Sequence, residues 1–273
     1  MLPSIIIFRI KIILLLVVIL LTLYTPLIAG PPYDTDDPEP VDFQHWEINS
    51  SVHIVSSPTI LTGFAPFVEA NYGAVPNLQL HVMVPLAIYN QSGGKTYYGF
   101  GDTELGAKYR FVQEDSNSLR PQISLYPTIE IPTGNASKQL GNGATQFFIP
   151  LWIQKSFGKW TTYGGGGYWI NPGVGNKNFG FVGWQAQYQV AKNVTIGGEL
   201  YYVTSSQVSV DGNNAEAYSV PANQVSTDNE FRFNVGTTID FTNFSHLLFS
   251  IGRSIIGNTV IQSYIGYQMT FGK

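Results

Sequence analysis

QSYIGYQMTF, Gln262 to Phe271, alternates between two kinds of side chain. Ile265, Tyr267, Met269 and Phe271 form an apolar set, and Gln262, Tyr264, Gly266, Gln268 and Thr270 a more polar one. Successive side chains of a β-strand point to opposite faces, so a period of two gives this segment one apolar and one polar face. Ending a mature chain on such a strand is the habit of outer-membrane β-barrels, where the last strand pairs with the first and the sheet keeps no edge. Gly272 and Lys273 after the terminal aromatic depart slightly from that habit.

Composition points the same way. Only 12% of the 273 residues are charged, against about 25% in ordinary soluble domains. Mean hydropathy is still close to neutral at +0.05, because Gln, Asn, Ser, Thr and 28 glycines supply polarity without charge. Aromatic residues make up 14%, which suits interfacial girdles. The absence of cysteine excludes disulfide stapling and thiolate chemistry.

The N-terminus reads as a secretory signal. Arg9 and Lys11 precede a run from Ile12 to Leu23 whose only polar member is Thr22, and Pro26 and Ala29 follow. The run is short of the about 20 apolar residues that a spanning helix needs. Leu27 fits a small-x-small cleavage site poorly. Residues 1–29 are therefore expected to be a signal peptide, 30–45 a periplasmic N-terminal segment and 46–273 an outer-membrane barrel. Cleavage leaves 12 Lys and Arg against 18 Asp and Glu, a net charge of −6. A mildly acidic chain without a basic stripe excludes nucleic acid as a partner.

About twelve alternating segments follow, an even number as single-chain bacterial barrels have. They are 46–56, 64–73, 77–89, 100–113, 119–131, 144–157, 159–170, 178–190, 194–204, 229–241, 246–254 and 259–271. In the third, Leu78, Leu80, Val82, Val84, Leu86 and Ile88 oppose Gln79, His81 and Met83; in the fourth, Leu105, Ala107, Tyr109 and Phe111 oppose Glu104, Lys108 and Arg110. In the tenth, Phe231, Phe233, Val235 and Ile239 oppose Glu230, Arg232, Asn234 and Asp240. Connections after even-numbered segments are short, and most of those after odd-numbered ones are long and polar. That is the asymmetry of periplasmic turns and extracellular loops. Ser205 to Asp228, the longest, is expected to be an extracellular loop. Pro66, unable to donate to a ladder, marks a bulge in the second segment, and Ser57 to Gly63 is apolar for a loop. Trp46, Tyr109, Phe111, Trp160 and Phe271 should form the outward girdle at the short-turn rim, with Phe231 and Phe233 at the other. The run Gly164 to Gly167 reads as a strongly curved wall beside Tyr163, Tyr168 and Trp169.

Four stretches carry a resemblance: GPPYDTDDPEP (Gly30 to Pro40) with HWE (His45 to Glu47), GDTELGAKYRF (Gly101 to Phe111), IPTG (Ile131 to Gly134), and the aromatic strand from Lys159 to Trp169. In order and spacing the chain resembles the outer-membrane barrel family named for a meta-pathway of phenol degradation. That resemblance implies a transporter-like barrel linked to aromatic compounds. It carries over no catalytic residue.

The remaining motifs are weak. Asp34, Asp36, Asp37 and Glu39 lack the Gly and Glu that an EF-hand loop needs at its sixth and twelfth positions, so they read as a solvated, proline-stiffened periplasmic stretch. His45, His53, His81 and His246 show no ligand spacing. No P-loop, complete GxGxxG or HExxH occurs. A lipid-hydrolase barrel would need Ser and His facing lipid near the outer rim, and no histidine is expected there.

The expected protein is thus an all-β, transmembrane, antiparallel up-and-down barrel of about twelve strands in the bacterial outer membrane. It is expected to be no enzyme, with neither cofactor nor metal. Its function is passive or weakly selective passage of small molecules, with aromatic or hydrophobic compounds as the solutes implied by the resemblance. A non-conducting structural or surface-interaction barrel is the alternative, and a lipid hydrolase a distant third. Its partners are outer-membrane lipid, the assembly machinery through the C-terminal strand, and small-molecule solutes. The lumen candidates are Glu69, His81, Lys108, Arg110, Glu199 and Arg232. If the turn Ala74 to Pro76 and the loop Asn90 to Gly99 are symmetric, Glu69 lies opposite His81 and His81 opposite Lys108, forming one row across three strands.

Overall fold

The computed structural model describes residues 32–173, 175–206 and 228–272. The expected signal peptide and most of the expected loop from Ser205 to Asp228 lie outside the described residues. Fourteen strands form one antiparallel sheet. They are β1 (His45–Ser56), β2 (Ile60–Val75), β3 (Leu78–Gln91), β4 (Thr96–Phe100), β5 (Thr103–Val112), β6 (Gln122–Leu125) and β7 (Thr128–Ile131). After a 3-10 turn at Ala136–Lys138 come β8 (Gln146–Phe157), β9 (Trp160–Ile170), β10 (Phe179–Ala191), β11 (Val194–Val203), β12 (Glu230–Thr242), β13 (Ser245–Ile256) and β14 (Ile261–Gly272).

The sheet closes on itself. β1 pairs with β14 from His45↔Gly272 to Ser56↔Ile261, so the C-terminal strand that opened the sequence reading has a partner on both sides. β4 and β5 run one after the other along β3, and β6 and β7 along β8, so the strands make a closed barrel of twelve staves. Each split stave has a local cause. Asp102, between β4 and β5, turns its carboxylate to the amides of Gly134 (2.8 Å) and Asn142 (2.5 Å), which ties the 132–145 connection across the break. Pro127, between β6 and β7, has no N–H to give a ladder, although its carbonyl still accepts from Ala107 N at 3.1 Å.

Pro66 does sit in a bulge: the β2–β3 register shifts between Phe64 and Phe67. The expected apolar loop from Ser57 to Gly63 shrinks to 57–59, because Ile60–Val75 is already strand, which is why those residues are apolar. The Asn90 to Gly99 loop likewise shrinks to 92–95.

The barrel is apolar outside and polar inside. Leu80 and Val84 are exposed on the outer face of β3, as are Ile265, Tyr267, Met269 and Phe271 on β14, whereas Gln79 and His81 are buried. At the short-turn end Trp46 packs on Tyr72 with ring centroids 4.5 Å apart, and Trp160 on Tyr188 at 4.8 Å. These outward aromatic pairs suit a membrane interface. No helix among the described residues is long and apolar enough to cross a membrane, and the crossing is made by strands.

Candidate functional site

Alternate positions of every stave line the lumen. The six residues picked from the sequence all face it. Lys108, Glu199, Arg232 and His81 are buried, and the Glu69 and Arg110 side chains are mostly so. Arg232 pairs with Glu230 two residues along the same face and donates to Gln262 Oε1 at 2.9 Å. The cations of β5 meet a different partner.

That partner is the stretch 32–44 ahead of β1, which runs inside the barrel. The sequence reading made it a solvated periplasmic segment; in the structure Thr35 and Asp37 are only 2% and 1% exposed. Pro32 O accepts from Ser250 Oγ at 2.6 Å. The amides of Asp34 and Thr35 donate to the Glu199 carboxylate at 3.2 and 2.5 Å, and the Asp34 carboxylate accepts from Asn234 (3.0 Å) and Gln262 (2.5 Å). Lys108 Nζ lies 3.1 Å from Asp36 and 3.9 Å from Asp37. Arg110 and Gln122 both bind Glu39, at 2.5 and 2.6 Å, and Val41 N donates to Gln79 Oε1 at 2.9 Å.

These anchors come from β3, β5, β6, β11, β12, β13 and β14, so the segment bridges opposite walls. Glycine makes the room. A Cβ on Gly183 would overlap Thr35 Oγ1, and one on Gly197 or Gly236 would crowd the Tyr33 hydroxyl at 2.6 or 3.0 Å. The physical reason for the correction is pairing: acids that would be costly to bury alone find the lumen's cations and amide donors. Burial raises the Asp37 carboxyl well above its ordinary 3.8, against the opposing pull of Lys108.

The expected row of Glu69, His81 and Lys108 is out of register by two residues. Glu69 lies opposite Met83, His81 opposite Asn71 and Gly106, and Lys108 opposite Gln79. A register shift between Gly73 and Val75 and the short β3–β4 connection break the assumed symmetry. Parity survives a slip of two, so His81 still lies near Glu69, its Nδ1 3.7 Å from Oε1. Its firmer contacts are Asn71 Oδ1 at 2.8 Å and Glu104 Oε1 at 3.1 Å.

Sequence reasoning missed an aromatic lining on β8 to β11. Trp169 stacks on Phe148 (4.6 Å, 10°) and on Phe179 (5.6 Å, 9°), and Phe181 stacks on Tyr201 (5.5 Å, 30°). These rings occupy inward positions of their strands, and that parity was the available signal. The run Gly164 to Gly167 sits where the backbones of β8 and β10 come too close for any Cβ: Leu151 O, Phe181 O and Gly183 O would all be struck. Among the described residues no group of three or more His, Cys, Asp or Glu side chains is placed to hold a metal ion.

Among solved structures the fold is similar to the COG4313 outer membrane channel from Pseudomonas putida F1, with a TM-score of 0.70 and 14% identity over 88% of this chain and 100% of that one. It is also similar to the KdgM porin in complex with disordered oligogalacturonate (TM-score 0.53, 11% identity, 82% and 99% covered). The NanC porin gives a TM-score of 0.53 at 7% identity, with 81% and 98% covered. At these identities the likeness is one of fold. No curated protein matches the sequence. The sequence pattern of one family spans residues 32–263, from the lumen segment to the last strand, and the chain belongs to that family, described as "Putative MetA-pathway of phenol degradation".

Proposed function

We propose that this barrel is an outer-membrane channel that passes small molecules passively, through a polar lumen narrowed by the segment 32–44. The observation that carries the reading is the way that segment is held. Its contacts with the wall are side-chain hydrogen bonds and ion pairs to many staves, and the interior they line is polar, as the interior of a water-filled barrel channel is. The resemblance of the fold to outer membrane channels and porins supports the same reading. The inward stack of Phe148, Trp169 and Phe179 favours aromatic or hydrophobic compounds among the solutes, since rings pack on rings in offset or stacked pairs. In this reading the outer face meets outer-membrane lipid and the chain carries no catalytic residue.

Purified full-length protein in a planar bilayer should show discrete conductance steps, and phenol should enter protein-bearing liposomes more slowly when Trp169 is replaced by alanine. Absence of any conductance would favour the second reading, a structural or surface-interaction barrel, which the density of anchors on the lumen segment also suits.

A further inference from the structure

One inward row of the wall has acids and acceptors but too few cations. Glu104 on β5 lies directly opposite Glu130 on β7, and Glu130 directly opposite Gln146 on β8. All three take lumen parity, and Glu130 and Gln146 are buried, at 5% and 0% exposure. Directly opposed positions hold their Cβ atoms about 4.5 to 5.5 Å apart, and like charges so placed repel. The nearby cations are engaged elsewhere. Lys108 and Arg110 bind Asp36 and Glu39 of the lumen segment. His81 is shared among Asn71, Glu69 and Glu104 and offsets one carboxylate at most. Asp102, the other acid close by, is spent on the amides of Gly134 and Asn142.

What remains points at a ligand. Glu130 makes no ion pair among the described residues, and its Oε2 is buried without a hydrogen-bond partner. Gln146 is an independent witness: directly opposite Glu130, it gives its amide nitrogen to Asn171 and keeps a buried, unpartnered Oε1. Thr128 Oγ1, two residues before Glu130 on the same face, is also unpartnered. The row therefore offers carboxylate and carbonyl oxygens with no cationic donor but His81 among the described residues. Glu104 keeps about a sixth of its side chain open to the lumen, 18%, which gives a solute access.

We propose that Glu104, Glu130 and Gln146 form a cation-binding station in the lumen wall, taking a monovalent cationic group such as a primary ammonium on a solute, or a small inorganic cation. Three ammonium hydrogens match three acceptors, and carboxylate acceptors make the stronger, charge-assisted bonds. The inference rests on the lumen being the solute path, as proposed above, but its test reads binding and not conductance.

Full-length protein in detergent is titrated with n-butylammonium chloride by calorimetry, with 1-butanol as the uncharged probe and potassium chloride as competitor. Saturable binding of butylammonium without binding of butanol is expected, weakened about tenfold or more in Glu130→Gln and in Glu104→Gln. Displacement by potassium would make the inorganic ion the occupant, and its failure would make the ammonium group the occupant. Heat-modifiable migration reports whether each variant has folded. Should neither variant fold, the Glu130 carboxyl carbon signal in wild-type protein must shift on addition of butylammonium. No saturable binding, equal binding by folded variants, or a proton shared between the two carboxyls that butylammonium leaves in place would overturn the proposal. Binding without bilayer conductance would keep the station and sink the channel reading; conductance without binding would do the reverse.

Discussion

Lys108 Nζ stands 3.1 Å from Asp36 Oδ1, so a buried cation of the wall is neutralised by an acid 72 positions earlier in the chain. With Asp37 at 3.9 Å the lysine holds two carboxylates, and it also lies over the Tyr126 ring, 4.9 Å from its centroid. The contact joins two parts of the molecule that share no sheet pairing, and several testable consequences centre on it.

Replacing Lys108 with methionine keeps the bulk and removes the charge. Leaving a buried partner unpaired costs about 3 to 5 kcal/mol, and the segment 32–44 is expected to absorb that cost by leaving its site. Amide exchange at 34–39 should become faster, and single-channel conductance larger and noisier. Unchanged protection at Thr35 would show that the glycine-lined groove, and not the ion pair, retains the segment.

Asp37 makes docking depend on pH. Its carboxyl is raised in the folded state chiefly by burial, so folding takes up a proton above the ordinary 3.8. A raised carboxyl contributes stability that is complete below 3.8 and is lost as pH rises through the raised value. Asp37→Asn removes the charge that must be desolvated, while Asp36 still satisfies Lys108. The variant should hold the segment more firmly at neutral pH, seen as slower amide exchange at 34–39, and lose that part of the pH dependence. Weaker protection at neutral pH would mean that the 3.9 Å contact with Lys108 outweighs desolvation.

At Gly183 the segment lies close against the wall. A methyl group there would overlap Thr35 Oγ1, whereas a Cβ on Gly180 of the same strand meets nothing nearer than Gly167 O at 4.0 Å. Gly183→Ala should therefore raise conductance by displacing the segment from an otherwise intact barrel, and Gly180→Ala should not. Equal conductance of the two variants would place the constriction elsewhere.

The outer face is tested by charge. Val84 is 41% exposed in the middle of β3, opposite Val68, whereas Gln79 on the other face is buried. Arginine on the lipid face near the bilayer midplane costs roughly 2 to 4 kcal/mol, so Val84→Arg should lower the yield of heat-modifiable barrel. Gln79→Arg puts the same charge on the lumen face, away from lipid, and should assemble. If both assemble equally well, lipid does not meet this face.

Much of the barrel was legible because its signals are local. Alternation along Leu78 to Ile88 tells which side of the strand each residue takes, whatever the neighbouring strand does, and so the inward parity of His81, Lys108 and Arg232 could be read from a single segment. The split at Asp102 was not seen because most of β4 was read as part of the Asn90 to Gly99 loop, and the split at Tyr126–Pro127 because 119–131 was read as one strand. The first split depends on amides of Gly134 and Asn142, which come into reach only when the later connection folds back.

The strand number, the two faces and the closing role of Gln262 to Phe271 were set by the sequence alone, since period-two patterning and turn spacing are properties of short windows. Register was not, because each bulge adds a residue to one strand and moves every later pairing, as Glu69 opposite Met83 shows. Nor was the fate of the segment 32–44. It has no periodicity, and its four acids look made for water until the folded barrel sets Lys108, Arg110, Asn234 and Gln262 around them. Only tertiary structure decides whether a charge is buried, because the compensating charge comes from a distant part of the chain.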